Sequence, residues 1–309
     1  WLPRMEALLR KHLAPEQACY MPGSGAVEAL WTLTALIDTH VSSAPGSHAY
    51  ACFADTATAF DTVWRDGLYF ILHAYGVRGK LLRMIALWHE GATATGMWYA
   101  MQSNRIQFSQ GVRQGCVIAP LLYVVFINPL TGATPDLSGH PFPDLAARAF
   151  SGGLDRDTGL QVRLRATEIA LSAPCQQFCD DVALLAPSHD SLQSSLDAYS
   201  AYARKWRYSL APQKFHIVPF GKMRVGDESW NVSHHSGDFQ VTSEPNADYL
   251  GVILDRRRTS LDHVKRASAT ASRQAPLLSR IAHNVGEGVA SMVQNRKADP
   301  SCLYGSGAS

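Results

Sequence analysis

The stretch QQFCDDVALLA (176–186) places two aspartates, Asp180 and Asp181, side by side between short apolar runs. Repulsion and loss of hydration both oppose the ionisation of neighbouring buried carboxylates. The pair therefore lies either on an ordinary solvated turn or at a point where a cation binds. Because QQF and VALLA are both short and apolar, the pattern predicts two strands that flank a turn at the aspartates.

A second carboxylate centre lies well upstream of this pair. The segment CFADTATAFDTV (52–63) contains Asp55 and Asp61, and AYACFAD is suited to a buried strand that ends at Asp55. If that strand is central and borders the predicted turn, three carboxylates meet at one edge of the sheet. Such oxygen ligands suit Mg²⁺, which keeps several waters and binds few protein carboxylates together with substrate phosphates. Two such ions can activate an attacking hydroxyl and stabilise a leaving pyrophosphate.

The rest of the chain lacks a regular βαβ alternation, which favours an α+β fold. The strands near residues 50, 180, 217 and 250 are predicted to form one antiparallel sheet, with helices at 66–90 and 190–210 on one face. Residues 131–165 are interpreted as a loop-rich insertion. Apolar spacing and breakers also predict helices at 1–12, 25–40, 116–130 and 260–298, and strands at 93–101, 104–110, 214–220 and 248–254.

Composition restricts the function only weakly. With 309 residues and a formal net charge of +2, the chain can hold one large or two ordinary domains, and the charge neither favours nor excludes a polyanionic partner. The six cysteines form no CxxC pair, so they are interpreted as reduced and intracellular, with a zinc site disfavoured. The longest apolar run (117–127) is too short to span a bilayer. The chain begins without methionine and ends without a closing element, as expected for a piece of a longer protein.

Five segments that occur in order resemble the palm motifs of a reverse transcriptase of the non-LTR (LINE-type) retrotransposon branch. They are CFADTATAFDTVWRDGLYFILHAYGVRGKLLRMIALWHEGATA, GVRQGCVIAPLLYVVFINPL, QQFCDDVALLA, LAPQKFHIVPF and YLGVIL. The resemblance covers about residues 15–255 and implies a right-hand polymerase palm with a ferredoxin-like antiparallel core. It also implies a partial fingers segment at 1–50, a palm at 51–255 and the start of a thumb at 256–309.

The resemblance assigns metal binding to the carboxylates, and it implies two Mg²⁺ ions, with Mn²⁺ as a substitute. Asp55 and Asp180 match the metal ligands, while Asp181 matches the acidic neighbour that adds charge and geometry more than firm ligation. Lys214 matches a lysine near the leaving pyrophosphate that would protonate it; the alternative is a solvated lysine at a strand edge. Asp61 is interpreted as structural, with hydrogen bonds around the following turn.

Two further boxes are implied to contact the substrates. Phe60 matches an aromatic residue against the sugar, where a ring would exclude a 2′-hydroxyl and favour deoxynucleotides; the alternative is a core phenylalanine. Gln114 and Gly115 match the contact to the incoming nucleotide and the templating base, because glycine lets the backbone approach the substrate closely. Arg113 can reach a phosphate, although solvation alone also explains an arginine on a loop. Residues Tyr249, Leu250 and Gly251 match the hairpin that grips the primer.

The sequence also departs from the family pattern. Ala119–Pro120 replaces Ser-Pro, and Cys179 replaces alanine or valine, both at positions that do not bind metal. In APQKF, Ala211 and Phe215 replace polar residues around Lys214, which weakens the assignment of that lysine.

The implied function is an RNA-directed DNA polymerase that adds deoxynucleotides to a primer 3′-hydroxyl. Its partners would be an RNA template, a DNA primer and dNTPs, without a membrane; nuclear location is implied by the resemblance alone, and the oligomeric state is open. A second hypothesis is a catalytically inert retroelement remnant or a non-enzymatic nucleic-acid-binding module, suggested by APQKF and by the absence of an upstream RPI-like segment. A small-molecule metallohydrolase explains neither the RQG nor the YLG box.

Overall fold

The structure is a computed structural model in which most of the chain between residues 2 and 273 is described. The described residues are 2–14, 16–20, 24–99, 101–132, 175–222, 225–226, 228–234, 237–270 and 272–273. Most of the predicted insertion at 131–165 lies outside them, as does the predicted thumb segment after residue 273.

Helices and strands alternate irregularly along the chain. The helices are α1 (Leu2–Arg10), α2 (Ala26–Ser42), α3 (Arg65–Ala74), α4 (Gly79–His89), α5 (Ala119–Ile127) and α6 (His189–Trp206), with short 3₁₀ turns at Asn128–Leu130 and Pro212–Lys214. The strands are β1 (Ala49–Asp55), β2 (Thr93–Ala94), β3 (Met97–Trp98), β4 (Met101–Gln102), β5 (Ile106–Gln107), β6 (Cys175–Phe178), β7 (Asp181–Ala186), β8 (His216–Phe220), β9 (Ser229–Val232), β10 (Phe239–Thr242), β11 (Asn246–Tyr249) and β12 (Val252–Asp255). Residues 261–270 are also helical, as predicted.

A four-stranded antiparallel sheet in the order β6, β7, β1, β8 forms the centre of the fold. Strand β1 pairs with β7 on one side and with β8 on the other, so it is central, as its apolar sequence predicts. Every residue of β1 except Asp55 is buried. The predicted α+β class is confirmed.

The two faces of this sheet carry different layers. Tyr50, Cys52 and Ala54 of β1 pack into a core with α3, α5 and α6, whereas Ala51 and Phe53 face α2 and the β11–β12 pair. This alternation follows from the two-residue period of a strand. Helices 66–90 and 190–210 therefore cover the same face, as predicted, and the sheet is buried on both sides.

Helix α5 is apolar on all sides and almost completely buried, which is the pattern of a helix inside a core. Pro120 lies in its first turn, where the missing amide hydrogen costs no helical hydrogen bond. The predicted buried helix is thus confirmed. Among the described residues, no helix is both long enough and apolar enough to cross a bilayer.

The prediction that the strand near residue 250 joins the central sheet is wrong. DYLGVIL forms the end of β11, a turn at Leu250–Gly251 and the start of β12, and these two strands make their own sheet. Both turn residues have positive φ angles, 49° and 80°, as a tight two-residue hairpin requires. A leucine at the first turn position gives no turn signal in sequence, which explains the error.

Two other boundaries also differ from the prediction. The chain between β2 and β5 reverses at the β3–β4 pair, between Trp98 and Met101, and not at residues 102–104. Ser103 lies inside the ladder instead, because it exchanges hydrogen bonds with Gly96. Helix α6 ends at Trp206, well before Pro212, because Arg207 takes a left-handed φ of 59° at its C-cap.

Candidate active site

Three carboxylates meet where β1 ends and β6 turns into β7. The antiparallel register places Asp55 directly opposite Asp181, and Asp180 lies in the adjoining turn. Burial, and then the charges of Asp180 and Asp55, raise the pKa of Asp181 to about 6. Burial also raises the pKa of Asp180, with a further contribution from Asp55. Asp55 is therefore close enough to Asp180 and Asp181 for its charge to oppose their ionisation.

Lys214 reaches this cluster because the chain before it pairs with the residues that follow β1. The Ala57 amide donates to the Ser209 carbonyl at 2.9 Å, and the Ala211 amide donates to the Asp55 carbonyl at 3.3 Å. A 3₁₀ turn then returns the Lys214 ammonium to Oδ2 of Asp55, with which it forms an ion pair. That hydrogen bond raises the pKa of Lys214. The structure thus places Lys214 at the carboxylates, although its side chain remains about half exposed.

The apolar replacements around Lys214 are core residues. Ala211 and Phe215 are 1% and 3% exposed, and the Phe215 ring packs against those of Tyr199 and Phe239 at centroid distances of 6.1 and 5.3 Å. The departure from the polar family pattern therefore adds buried apolar contacts and leaves the lysine in place.

The carboxylate oxygens fit a divalent cation. In the described part of the chain, the buried Oδ1 of Asp55 has no hydrogen-bond partner, although burial of an unpaired polar atom is costly. A cation beside Asp55 and Asp180 would supply that partner and offset the burial and the repulsion that raise the pKa values of Asp180 and Asp181. Across the described ranges, no three His, Cys, Asp or Glu side chains are already arranged around a common metal position. The cation that contacts Asp55 is the Lys214 ammonium.

The turn that carries Asp180 is held by Gln17, a residue that the sequence did not single out. Gln17 is completely buried, and its Oε1 accepts hydrogen bonds from the amides of Cys19 and Cys179 at 3.1 and 3.3 Å. Its Nε2 donates to Oε1 of Gln177 at 3.0 Å. Backbone hydrogen bonds also join residues 16–18 to Gln177, so this segment lies along the edge of β6.

The β11–β12 hairpin borders the carboxylates. Tyr249 is buried, and its ring packs on Phe53, two residues before Asp55, at a centroid distance of 5.0 Å. A cavity of about 300 Å³ separates the hairpin from the carboxylates, and its lining includes Asp55, Asp181, Lys214, Tyr249, Leu250 and Gly251. On the outer side, Arg266 pairs with Asp248 and donates to the Gly251 carbonyl. The structure therefore brings the YLG box, Asp55 and Asp181 to one cavity.

The RQG box lies on an exposed loop with a fixed base. Arg113, Gln114 and Gly115 are exposed, and Gly115 has a φ of 80°. The Gly111 amide donates to the Val63 carbonyl at 2.9 Å, and the neighbouring Val112 amide donates to the Phe60 carbonyl at 2.8 Å. A Cβ at Gly111 would lie 2.7 Å from the Asp61 carbonyl oxygen, so only glycine allows this approach.

Arg65 holds the segment that leads into the box, and sequence analysis missed it. Its Nε donates to the Gly111 carbonyl at 2.9 Å and its Nη2 to the Gln110 carbonyl at 3.0 Å. Its Nη1 donates to the carbonyls of Phe108 and His89 at 2.9 and 3.0 Å. One guanidinium thus joins α3, the end of α4 and the loop.

Phe60 lies between the loop and the carboxylates. Its half-buried ring stacks on Tyr123 with centroids 5.1 Å apart and ring planes 23° apart. Burial, and next the charge of Asp180, raise the pKa of Tyr123 well above its usual value, which places this hydroxyl near the turn. Asp61 remains a turn residue, with its amide donating to the Thr58 carbonyl at 2.9 Å.

The sequence is similar to known proteins over most of its length. A sequence model of the family described as "Reverse transcriptase (RNA-dependent DNA polymerase)" matches residues 2–254. The chain is 28% identical over 223 residues to the RNA-directed DNA polymerase from mobile element jockey of Drosophila funebris, a match that covers 70% of this chain and 21% of that protein. It is 28% identical over 276 residues to a probable RNA-directed DNA polymerase from transposon BS of Drosophila melanogaster, with 83% of this chain and 25% of that protein covered.

The chain thus spans about a fifth to a quarter of the length of these curated relatives. Among solved structures, the apo telomerase from Candida tropicalis has a TM-score of 0.49 and 11% identity, over 97% of this chain and 50% of that chain.

Proposed function

The chain belongs to the reverse transcriptase family and resembles its non-LTR retrotransposon members, and from this premise we propose that it catalyses RNA-directed DNA synthesis at Asp55, Asp180 and Asp181. The observation that carries the proposal is the meeting of these carboxylates with Lys214 beside the β11–β12 hairpin. The substrates would be a primer 3′-hydroxyl, a deoxynucleoside triphosphate and an RNA template.

Asp55 and Asp180 would hold Mg²⁺, with Asp181 adding negative charge. Bound ions of this kind activate an attacking hydroxyl and stabilise the charge of a leaving pyrophosphate. The carboxylates would supply the oxygen ligands that Mg²⁺ prefers, once their side chains turn towards a common ion. The unpartnered Oδ1 of Asp55 and the mutual repulsion of the carboxylates support this assignment.

Lys214 would act on the leaving pyrophosphate. Its raised pKa keeps the ammonium protonated at neutral pH, so it can neutralise developing charge and donate a proton. Because the Lys214 side chain is about half exposed, its ammonium would have room to turn towards a phosphate. The apolar core packing of Ala211 and Phe215 keeps the lysine at this position.

The remaining predicted residues would select and orient the substrates. Gln114 and Gly115 would contact the incoming nucleotide and the templating base, with Arg113 near a phosphate. The Phe60 ring would lie against the sugar and exclude a 2′-hydroxyl, and its stack on Tyr123 makes it rigid enough to do so. The hairpin at Tyr249, Leu250 and Gly251 would hold the primer end beside the aspartates.

The same proposal divides the chain into a fingers segment at 1–50, a palm at 51–255 and the start of a thumb at 256–309. All three carboxylates and both hairpins described above lie within 51–255, as does the central sheet apart from Ala49 and Tyr50, and the family match ends at residue 254. We also propose that the protein acts in the nucleus, where a retroelement reaches chromosomal DNA; this part of the proposal is based on family membership alone.

Primer extension on an RNA template with deoxynucleotides and Mg²⁺ tests the function. We expect the chain to extend the primer and Asp180→Ala to reduce the rate by roughly a thousandfold, because metal-held charge stabilisation is worth several kcal/mol. Asp197→Ala, which removes an exposed carboxylate from α6, is the matched control and should extend normally. Undiminished extension by Asp180→Ala contradicts the mechanism, and binding of template and primer without extension by the unaltered chain favours the inert nucleic-acid-binding module.

A further inference from the structure

Residues 93–108 form a narrow hairpin, here called the aromatic hairpin, that exposes large apolar side chains. At its tip, Trp98 and Tyr99 are 71% and 91% exposed, and their rings meet edge to face at 5.5 Å. Met97, Met101 and Ile106 on its strands are also mostly exposed. Exposed apolar clusters of this kind mark interaction sites, because leaving them in water is unfavourable.

The charge of this region suits a polyanion. Residues 91–135 contain no aspartate or glutamate, and their only charged side chains are Arg105 and Arg113. The charge of Arg113 also contributes, after burial, to lowering the pKa of Arg65 at the base of the hairpin. Arg65 and Arg113 therefore lie near each other at the base of the hairpin, where Asp61 also lines a cavity, and phosphate groups would stabilise the two arginines.

The aromatic hairpin is continuous with the RQG box. A cavity of about 300 Å³ lies between the hairpin base and the loop, and its lining includes Thr93, Ala94, Phe108, Arg113 and Gln114. The Phe108 carbonyl also accepts a hydrogen bond from Arg65, which holds the segment that leads into the loop. A strand that lies on the hairpin can therefore continue directly into this cavity.

We propose that the aromatic hairpin binds single-stranded nucleic acid, with Trp98 and Tyr99 stacking on unpaired bases and Arg105 and Arg113 contacting phosphates. Exposed aromatic faces beside positive charge bind single strands, because every unpaired base offers a face for stacking, whereas a duplex hides its base faces. Resting on the proposed function, the occupant is the unpaired RNA template on its way to the RQG box. The hairpin would keep this strand extended before it pairs.

Fluorescence anisotropy with a labelled single-stranded RNA oligonucleotide tests this site. We expect the double variant Trp98→Ala/Tyr99→Ala to bind the RNA roughly tenfold or more weakly, as the loss of base stacking predicts. The salt dependence of its binding should be unchanged. In contrast, Arg105→Ala should make the slope of log affinity against log salt concentration shallower, by the contribution of about one phosphate contact. Phe70→Ala, which removes a 69% exposed aromatic side chain from α3, is the control and should bind normally.

Equal RNA affinity in the double variant and in Phe70→Ala would overturn the inference. Sedimentation velocity tests the alternative that the patch is a contact between copies of the chain. The inference would also be overturned if the unaltered chain self-associated and the double variant lost this self-association but still bound RNA. Extension of a pre-annealed primer with a one-nucleotide template overhang, measured in parallel, keeps the two proposals apart. The double variant should extend that substrate normally, because no long single strand is present, and failure of the unaltered chain to extend it counts against the proposed function alone.

Discussion

The carboxylate cluster (Asp55, Asp180 and Asp181) and the RQG loop (residues 111–115) are held in place by different means. Asp55 and Asp181 face each other through the β1–β7 ladder, which spans six paired positions. The loop has two backbone hydrogen bonds to residues 60–63, and the segment leading into it depends on the single guanidinium of Arg65.

This difference determines how each region responds to mutation. A ladder distributes its hydrogen bonds over many residues, so most single substitutions leave the carboxylates in place. In contrast, the segment that leads into the loop depends mainly on one side chain, so it loses several hydrogen bonds at once when Arg65 is replaced. The Asp180 turn is intermediate, because the ladder ends there and Gln17 supplies the remaining contacts.

The largest expected effect comes from Arg65→Ala. Four carbonyls lose a charged donor, and we expect the free energy of unfolding to fall by about 3 kcal/mol. The KM for the incoming nucleotide should rise about tenfold, because the loop that would contact it is no longer positioned. Urea unfolding and steady-state primer extension measure the two effects.

Arg83→Ala is the control for this variant, because it removes an exposed arginine from α4. Arg65→Lys should lower the free energy of unfolding almost as much as Arg65→Ala, because one ammonium cannot reproduce the planar fork of a guanidinium. If Arg65→Ala unfolds at the same urea concentration as Arg83→Ala, the loop is held by its backbone hydrogen bonds alone, and the contrast with the cluster disappears.

A smaller effect is expected for Gln17→Ala. It leaves the amides of Cys19 and Cys179 and the side chain of Gln177 without this partner, and we expect a loss of about 2 kcal/mol in unfolding free energy. Hydrogen exchange should accelerate at the amide of Cys179 more than in β1. Gln176→Ala is the matched control, because its buried amide nitrogen has no hydrogen-bond partner among the described residues. Equal losses in the two variants would mean that the ladder alone holds the turn.

The smallest effect is a dependence of stability on pH and metal. The pKa of Asp181 is raised to about 6, so the folded state binds more protons than the unfolded state between the unfolded pKa near 4 and this value. The free energy of unfolding in metal-free buffer should therefore decrease as the pH rises through this window, by about 1 kcal/mol once solvent screening is allowed for.

Thermal unfolding, followed at a series of evenly spaced pH values from about 4 to about 7, measures this dependence. Asp181→Asn should flatten it, because the group that titrates is removed. Mg²⁺ at the upper end of the range should restore stability in the unaltered chain and less so in Asp55→Asn. A midpoint temperature that rises with pH in metal-free buffer would contradict the raised pKa of Asp181.

The carboxylate cluster was predictable because strand endings are visible in sequence. AYACFAD is apolar until Asp55, and QQF and VALLA enclose the Asp180–Asp181 pair, so both strands and their shared edge follow from local pattern. The structure confirms these strands and their antiparallel pairing. The roles assigned to the aspartates remain predictions.

Arg65 and Gln17 were not predictable, because their partners are backbone groups far away in the sequence. Arg65 bonds residues 43 and 46 positions later, and Gln17 bonds a residue 162 positions later. Nothing near either residue marks such a contact. The two misplaced turns have a related cause, since Leu250 and Tyr99 adopt positive φ angles that these residue types rarely take, while the polar QSN lies in a ladder.

The order of the sheet has a consequence for how the chain folds. β1 is synthesised early, whereas β7 begins at Asp181 and β8 at His216. Both edges of this very apolar strand therefore remain unpaired until its partners emerge from the ribosome much later. Closing loops of this size is entropically costly, and topologies dominated by distant contacts fold slowly. During that interval AYACFA is exposed and prone to aggregate. Production of the protein should therefore gain from chaperones that shield an unpaired strand.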